Sequence, residues 1–173
     1  MNPNDTILDL GCGELGLGGL NSENPITGFD LYEQPGFVGA NRVRFVCGDA
    51  TKPLEFADGE FDVVFSNSLI EHLPPASRDT FATQVRRVGK QYFVQTPARN
   101  FPVEPHYLIP FLQFMPESAA RRLARFGAHQ GPYESIHLLS KRELARLFPG
   151  ARIVTEWVGP LPKSYMAVGP LHY

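Results

Sequence analysis

The stretch Thr6-Ile-Leu-Asp-Leu-Gly-Cys-Gly-Glu-Leu-Gly16 decides the fold of this 173-residue chain. A short apolar run passes directly into glycines, of which Gly11, Gly13 and Gly16 have the spacing G-x-G-x-x-G. Glycines just beyond a buried strand let the backbone approach a ligand closely, because no Cβ stands in the way. Asp30 follows at the end of the second strand, where a carboxylate can accept hydrogen bonds from both hydroxyls of a ribose. The pattern therefore predicts a nucleotide-type cofactor, and the glycines alone do not choose between NAD and S-adenosylmethionine.

Further short apolar runs follow, each bounded by turn residues, at 26–30, 43–47, 61–65, 91–95, 152–158 and 165–168. Most are continuously apolar at their centres, as in strands that are covered on both faces. Pro74 and Pro75 can open a helix before the run at 91–95, and Gly89 suits the position just past the end of that helix. The last two runs are parted only by 159–162, which favours an antiparallel pair. We expect an α/β fold with a Rossmann-like, mostly parallel seven-stranded sheet, an antiparallel last strand and helices on both faces.

Two later segments have distinct patterns. Ser140-Lys-Arg-Glu143 is a capping box, and Leu139 and Leu144 occupy the positions of a hydrophobic staple, so a helix begins there. Residues 97–137 form a long insertion, with five prolines among aromatic residues within 97–116 and then a predicted helix over 116–126. Long loops within compact domains are typical of lids or binding segments, and the alternative is a structural cover for the end of the sheet.

The composition indicates one domain over residues 1–173. Hydrophobic residues make up 43% of the chain and the net charge is only −2, which excludes a disordered protein. No apolar run approaches the roughly 18 residues of a membrane span, and no secretory signal is visible. Cys12 and Cys47 cannot build a disulfide framework and lack metal-ligand spacing. We expect a cytoplasmic protein with no membrane partner.

Four segments share motifs with one enzyme family. They are Ile7-Leu-Asp-Leu-Gly-Cys-Gly13, Gly48-Asp-Ala50, Phe61-Asp-Val-Val-Phe-Ser-Asn-Ser-Leu-Ile-Glu-His-Leu73 and Ser135-Ile-His-Leu-Leu-Ser-Lys-Arg-Glu-Leu144. Together they strongly resemble the class I S-adenosylmethionine-dependent methyltransferases, in particular the branch that acts on small molecules. The resemblance covers most of residues 5–170, and only the insertion at 97–134 lies outside it.

The resemblance implies a role for each residue of the cofactor site. Asp9, Gly11 and Gly13 would surround the methionine moiety, and Ser66 or Asn67 would lie near the reactive methyl. Asp30 would accept hydrogen bonds from the ribose hydroxyls. Leu31 would lie on the adenine face, and Asp49 and the Ala50 N–H would bind the adenine edge. Simpler alternatives exist, since Asp30 and Asp49 could be turn formers. The family's usual N-terminal helix is expected to be absent, because the first strand starts by residue 6.

Methyl transfer from a sulfonium is an in-line displacement, so the enzyme mainly has to position the acceptor atom. His72 and His106 are the candidate general bases, because histidine accepts a proton near neutral pH. In the resembled family the position of His72 is usually structural. Ser68 stands where some relatives place an acidic metal ligand, so we expect no metal.

Charge is unevenly distributed along the chain. Residues 1–79 hold 13 Asp and Glu against 4 Lys and Arg, whereas residues 80–173 hold 5 against 12. The acidic half suits a cofactor that carries a sulfonium and an ammonium. Basic side chains in or near the insertion favour an anionic acceptor, namely Arg99, Arg121, Arg122 and Arg125. A pI of about 6.2 and the absence of a Lys/Arg run argue against a nucleic-acid partner.

Three functions stay open. The leading hypothesis is methyl transfer to a small molecule, with an oxygen acceptor favoured over nitrogen or carbon. The alternatives are an NAD-linked oxidoreductase, which depends on the glycine spacing alone, and a non-catalytic module that binds S-adenosylmethionine.

Overall fold

The computed structural model describes residues 2, 4–14, 16–17, 23–33, 43–103, 107–127 and 136–170. It contains, in chain order, β1 (Ile7–Leu10), β2 (Ile26–Asp30), β3 (Val43–Cys47), β4 (Phe61–Asn67), α1 (Arg78–Val88), β5 (Gly89–Pro97), α2 (Glu117–Ala124), α3 (Lys141–Leu147), β6 (Arg152–Val158) and β7 (Leu161–Gly169). Short 3₁₀ turns at Pro75–Ser77 and Leu112–Phe114 precede α1 and α2.

The seven strands form one sheet in the order β3-β2-β1-β4-β5-β7-β6. Strands β1 to β5 are parallel, and β7 is antiparallel to both β5 and β6. The predicted mostly parallel sheet with an antiparallel last strand is confirmed. Since β6 runs in the same direction as β5, the carboxyl ends of β1 to β6 all meet at one edge, which we call the carboxyl edge. Ligands of open α/β sheets bind at this edge.

The main core lies between the sheet and helices α1 and α3. The two helices contact each other, so they pack on the same face of the sheet. Phe81 and Val85 of α1 are fully buried with Val64 of β4, as the helical spacing predicts. The sequence also predicts helices on the other face of the sheet. The connections that bear on this prediction, 18–22 and 34–42, lie outside the described residues.

The local signals at the start of α3 and at the end of α1 are both confirmed. The Ser140 hydroxyl accepts a hydrogen bond from the Glu143 N–H at 3.2 Å, and Leu139 and Leu144 are fully buried, which confirms the capping box and staple. Gly89 lies just past the end of α1, as predicted, but its backbone is extended rather than left-handed. Its φ is −104° and it begins β5, where an added Cβ would lie 2.5 Å from Cγ2 of Val64. Close packing between strands explains this glycine.

Strand β7 is longer than predicted and the turn before it is shorter. Leu161 and Pro162 pair with Val158 and Trp157, so only Gly159 and Pro160 form the turn. An irregular register between Glu156 and Trp157 accommodates the proline in this strand.

The insertion has a small core of its own. Tyr107, Leu112, Ala120 and Ala124 are buried together in it. An isolated bridge between Ala98 and Leu139 joins the two ends of the insertion beside β5. Helix α2 ends at Ala124, two residues earlier than predicted.

Candidate active site

The glycine loop after β1 adopts conformations that other residues rarely take. Gly11 has φ +75° and Gly13 has φ +55°, both in the left-handed region. A Cβ on Gly11 would lie 2.9 Å from Cβ of Leu69, so the loop also needs glycine there for space. These two positions explain why the strand passes directly into glycines.

Asp30 fastens the glycine loop to the end of β2. Its Oδ2 accepts a hydrogen bond from the Gly13 N–H at 2.9 Å, and its Oδ1 accepts one from the Leu31 N–H at 2.7 Å. Each carboxylate oxygen can accept a second hydrogen bond. The carboxylate is therefore held in place with acceptor capacity left for a ligand's hydroxyls.

Asp9 lies beneath the same loop and is almost fully buried. Its Oδ2 accepts a hydrogen bond from the Leu17 N–H at 2.6 Å, and a Cβ on Gly16 would lie only 2.4 Å from this oxygen. Burial raises the pKa of Asp9 to about 6. The hydrogen bond from the Leu17 N–H lowers this pKa, and the nearby negative charge of Asp30 raises it further. A buried carboxylate of this kind is poised to receive a cationic group.

Asp49 closes the opposite end of the site. Its Oδ1 accepts hydrogen bonds from the N–H and the hydroxyl of Thr51, at 2.9 and 2.6 Å, and these bonds hold the pKa of Asp49 below its usual value. The turn-forming role considered for Asp49 is thus real. Its second oxygen lies 3.4 Å from Nζ of Lys52, an exposed side chain, and remains available for a donor on a ligand.

A cavity of about 550 Å³ opens between these loops at the carboxyl edge. Six residues predicted from the sequence line it, namely Gly11, Asp30, Leu31, Asp49, Ala50 and His72. The lining residues that the sequence argument missed are Phe29, Tyr32, Gly48, Thr51, Leu69, Leu73 and Pro74. Four of the missed residues, Phe29, Tyr32, Gly48 and Leu69, lie within two positions of a strand end, so topology alone could have found them.

Other predicted residues lie elsewhere. Ser66 does not line the cavity: it is fully buried in β4, where its hydroxyl donates to the Leu10 carbonyl oxygen at 3.0 Å and joins two strands. Asn67, exposed at the end of β4, is not in the cavity wall either. Asp9 and Gly13 do not line the cavity, since Asp9 lies in β1 beneath the glycine loop and Gly13 lies within that loop. His106 lies outside the described residues.

Comparison with known proteins agrees with this geometry. The family described as "Methyltransferase domain" matches residues 7–91. A SAM-dependent methyltransferase of Methanosarcina mazei has the same fold, with a TM-score of 0.60 at 17% identity over 97% of this chain and 92% of that one. Residues 7–91 thus match a methyltransferase domain, and the described residues have the fold of S-adenosylmethionine-dependent methyltransferases. This confirms the predicted family.

Other relatives of the methyltransferase domain use different acceptors. The ubiquinone biosynthesis O-methyltransferase of Aromatoleum aromaticum is 37% identical over 111 residues, which cover 55% of this chain and 45% of that protein. A phosphoethanolamine N-methyltransferase of Haemonchus contortus, solved with S-adenosyl-L-methionine, has a TM-score of 0.65 at 18% identity over 92% of this chain and 36% of that one. The chain thus spans less than half the length of the curated relative.

A buried network fixes the cavity wall that follows β4. Nη1 of Arg78 lies 2.8 Å from Oε1 of Glu143, and its Nη2 donates to the His137 carbonyl oxygen. The His137 N–H in turn donates to the Glu71 carbonyl oxygen at 2.9 Å, next to His72. In the methyltransferase domain, these bonds tie the wall of the cavity to the start of α3.

Proposed function

We propose that this domain transfers the methyl group of S-adenosylmethionine to a small-molecule acceptor, with oxygen as the favoured acceptor atom. The observation that carries the proposal is the cavity at the carboxyl edge, in which Asp30 is clamped to the glycine loop with acceptor capacity left over. The name of the Aromatoleum aromaticum relative supports an oxygen acceptor.

The residues present fit this cofactor. Asp30 would accept from the ribose hydroxyls, while Asp49 and the Ala50 N–H would bind the adenine edge and Leu31 would cover its face. Asp9 and the loop around Gly11 and Gly13 would hold the methionine moiety. The sulfonium supplies an activated methyl group, so the chain's own task is to hold the acceptor in line with it and to exclude water.

In this proposal, one of two histidines removes the proton from an acceptor hydroxyl. His72 is half-buried in the cavity wall, which gives it access to a bound acceptor. His106 is the other candidate. A pH–rate profile of the His72→Gln variant tests the assignment: loss of the acidic limb assigns the base to His72, and an unchanged profile removes His72 from this role.

A second, polar cavity supports an anionic acceptor. It has a volume of about 280 Å³ and is lined by Pro75, Arg78, Arg99, Gln113 and His137 among others. It adjoins the first cavity along the chain, because Pro74 lines the first and Pro75 lines the second. The Arg99 side chain is exposed and can reach a carboxylate or phosphate. Arg99→Ala is expected to remove any preference for 3,4-dihydroxybenzoate over uncharged catechol.

Calorimetry tests the cofactor. We expect S-adenosylmethionine and S-adenosylhomocysteine to bind and NAD(H) not to bind. Asp30→Asn should weaken binding about 100-fold, because hydrogen bonds to a charged group contribute roughly 1.5–3 kcal/mol each. The matched control is Asp58→Asn, which changes a side chain that is 82% exposed. Tight binding of NAD(H) alone would overturn the proposal.

A measurement of turnover distinguishes an enzyme from a non-catalytic module that only binds S-adenosylmethionine. Production of S-adenosylhomocysteine is measured with catechols, phenols and amines as probe acceptors. Oxygen methylation of a catechol supports the proposal. Binding of S-adenosylmethionine with no turnover on any probe acceptor favours the module.

A further inference from the structure

Exposed apolar side chains are concentrated at one edge of the molecule. The described residues include eleven exposed large hydrophobic side chains, namely Leu31, Tyr32, Leu108, Phe111, Phe114, Met115, Leu123, Phe126, Trp157, Val158 and Leu161. All eleven lie at the carboxyl edge: two follow β2, six belong to the insertion after β5, and three stand at the ends of β6 and β7 that flank the turn between them. Contiguous exposed apolar surface on one side of a protein marks an interaction site.

The insertion supplies six of the eleven, and its backbone directs two of them away from the core. Leu108 and Phe111 have φ of +55° and +62°, in the left-handed region that bulky side chains rarely adopt. Their neighbours Tyr107 and Leu112 are buried in the small core. The chain therefore adopts an unfavourable conformation at two positions where it exposes a large apolar side chain, and such strain is typical of functional segments.

Helix α2 adds positive charge to the same surface. Ala120 and Ala124 face the small core, while Arg121, Arg122 and Arg125 are exposed together with Leu123 and Phe126. The Arg125 guanidinium lies 6.0 Å from the ring centre of Phe126. Arginine and apolar side chains thus alternate, which is the pattern by which a helix with a basic polar face and an apolar face lies on an anionic membrane.

We propose that this surface binds an anionic lipid bilayer. It comprises Leu108, Phe111, Phe114, Met115, Leu123 and Phe126 with Arg121, Arg122 and Arg125, and we call it the insertion surface. Aromatic and aliphatic side chains would enter the boundary between headgroups and acyl chains, and the arginines would pair with lipid phosphates. No helix among the described residues is long and apolar enough to cross a bilayer, so the contact is interfacial.

This proposal revises the expectation of no membrane partner, which considered only spanning segments. The attraction is local rather than general, because the whole chain has a net charge of −2. Binding in this way brings the carboxyl edge, and with it the mouth of the cofactor cavity, to the membrane. An amphiphilic acceptor could then reach the cavity without leaving the bilayer.

Vesicle co-sedimentation tests the proposal on the full chain without cofactor. We expect at least tenfold tighter binding to vesicles of phosphatidylglycerol and phosphatidylcholine than to phosphatidylcholine alone, with loss of binding in 0.5 M salt. The double variant Arg122→Glu/Arg125→Glu should lose at least tenfold in affinity for the anionic vesicles. Phe111→Ser/Phe126→Ser should lose a similar factor, because its apolar contacts are removed.

The matched control is Arg86→Glu/Arg152→Glu, which makes the same charge change at exposed positions away from the insertion surface. It should bind vesicles like the unmodified chain, and all variants should keep their melting temperature and their affinity for S-adenosylmethionine. Absence of vesicle binding by the unmodified chain, or equal loss in the control, overturns the proposal. So does a dimer in light scattering that Phe111→Ser/Phe126→Ser converts to a monomer, since the surface would then join two copies.

Discussion

Asp9 shows how a single buried carboxylate links stability to ligand binding. Its pKa is raised from 3.8 to about 6, mainly by burial, so the folded chain disfavours the ionised form. The unfolded chain releases this proton more readily, and the free energy of unfolding therefore decreases as pH rises from about 4 to 6. Above pH 6 the ionised group costs roughly 3 kcal/mol, at 1.36 kcal/mol for each pKa unit. The positive charge of a bound cofactor would offset part of this cost.

We predict that Asp9→Asn stabilises the cofactor-free protein at pH 7 and weakens S-adenosylmethionine binding at least tenfold. Asparagine carries no charge to bury, and its carbonyl oxygen can still accept from the Leu17 N–H. The gain in melting temperature should become small near pH 4, where Asp9 is protonated in the folded chain and about half protonated in the unfolded one. Thermal melts between pH 4 and 8 measure both effects. A variant less stable than the parent at pH 7 would contradict this account.

The two cysteines should differ sharply in reactivity. Burial raises the pKa of the Cys12 thiol to about 12, and the charges of Asp9 and Asp30 add to this effect, whereas Cys47 is exposed. Ellman's reagent at pH 8 should modify one thiol in the folded chain and two in guanidinium chloride. In Cys47→Ser, no thiol should react until the chain unfolds. Rapid modification of that variant under native conditions would mean that Cys12 is accessible.

At the level of elements, sequence reasoning succeeded where the signal is local. The capping box at Ser140 and the glycine loop after β1 are each predicted from residues within five positions of each other. The Arg78 network was not predicted, because its partners Glu143 and His137 are about 60 residues away in sequence. The packing role of Gly89 was not predicted for the same reason, since its neighbour across the sheet is Val64. Contacts between elements carry no local pattern.

Arg78→Met should destabilise the fold by roughly 2–3 kcal/mol. Arg78 is almost fully buried, and its loss leaves Glu143 and the His137 carbonyl without their partner, although Glu143 is partly exposed and regains some hydration. Arg146→Met is the matched control on α3, where an exposed pair with Asp79 joins α3 to α1, and it should change stability little. Urea denaturation compares the two. Equal stability changes would show that burial of the Arg78 pair does not matter.

For the whole molecule, the division of charge along the chain has a structural meaning that composition alone could not give. The sheet order and the carboxyl edge followed from strand patterns and the resemblance, because parallel strands dictate where their loops meet. The exposed residues that share this edge could not be predicted, because they depend on the conformation of the insertion, and the insertion has no periodic sequence pattern. Asp30 and Asp49 line the cavity and Asp9 lies beneath the glycine loop, while the exposed arginines of α2 lie on the insertion surface.

This arrangement predicts how salt affects the two cofactor forms. S-adenosylmethionine carries one more positive charge than S-adenosylhomocysteine, and the cavity is surrounded by carboxylates. Raising ionic strength from 0.02 to 0.5 M shortens the screening length from roughly 20 Å to about 4 Å. S-adenosylmethionine should therefore lose about three- to tenfold in affinity by calorimetry, and S-adenosylhomocysteine should lose less. In Asp9→Asn the difference between the two ligands should shrink, because the carboxylate that we propose to lie nearest the methionine moiety is gone. Equal salt dependence of both ligands in the unmodified chain would show that the acidic half does not select the sulfonium by charge.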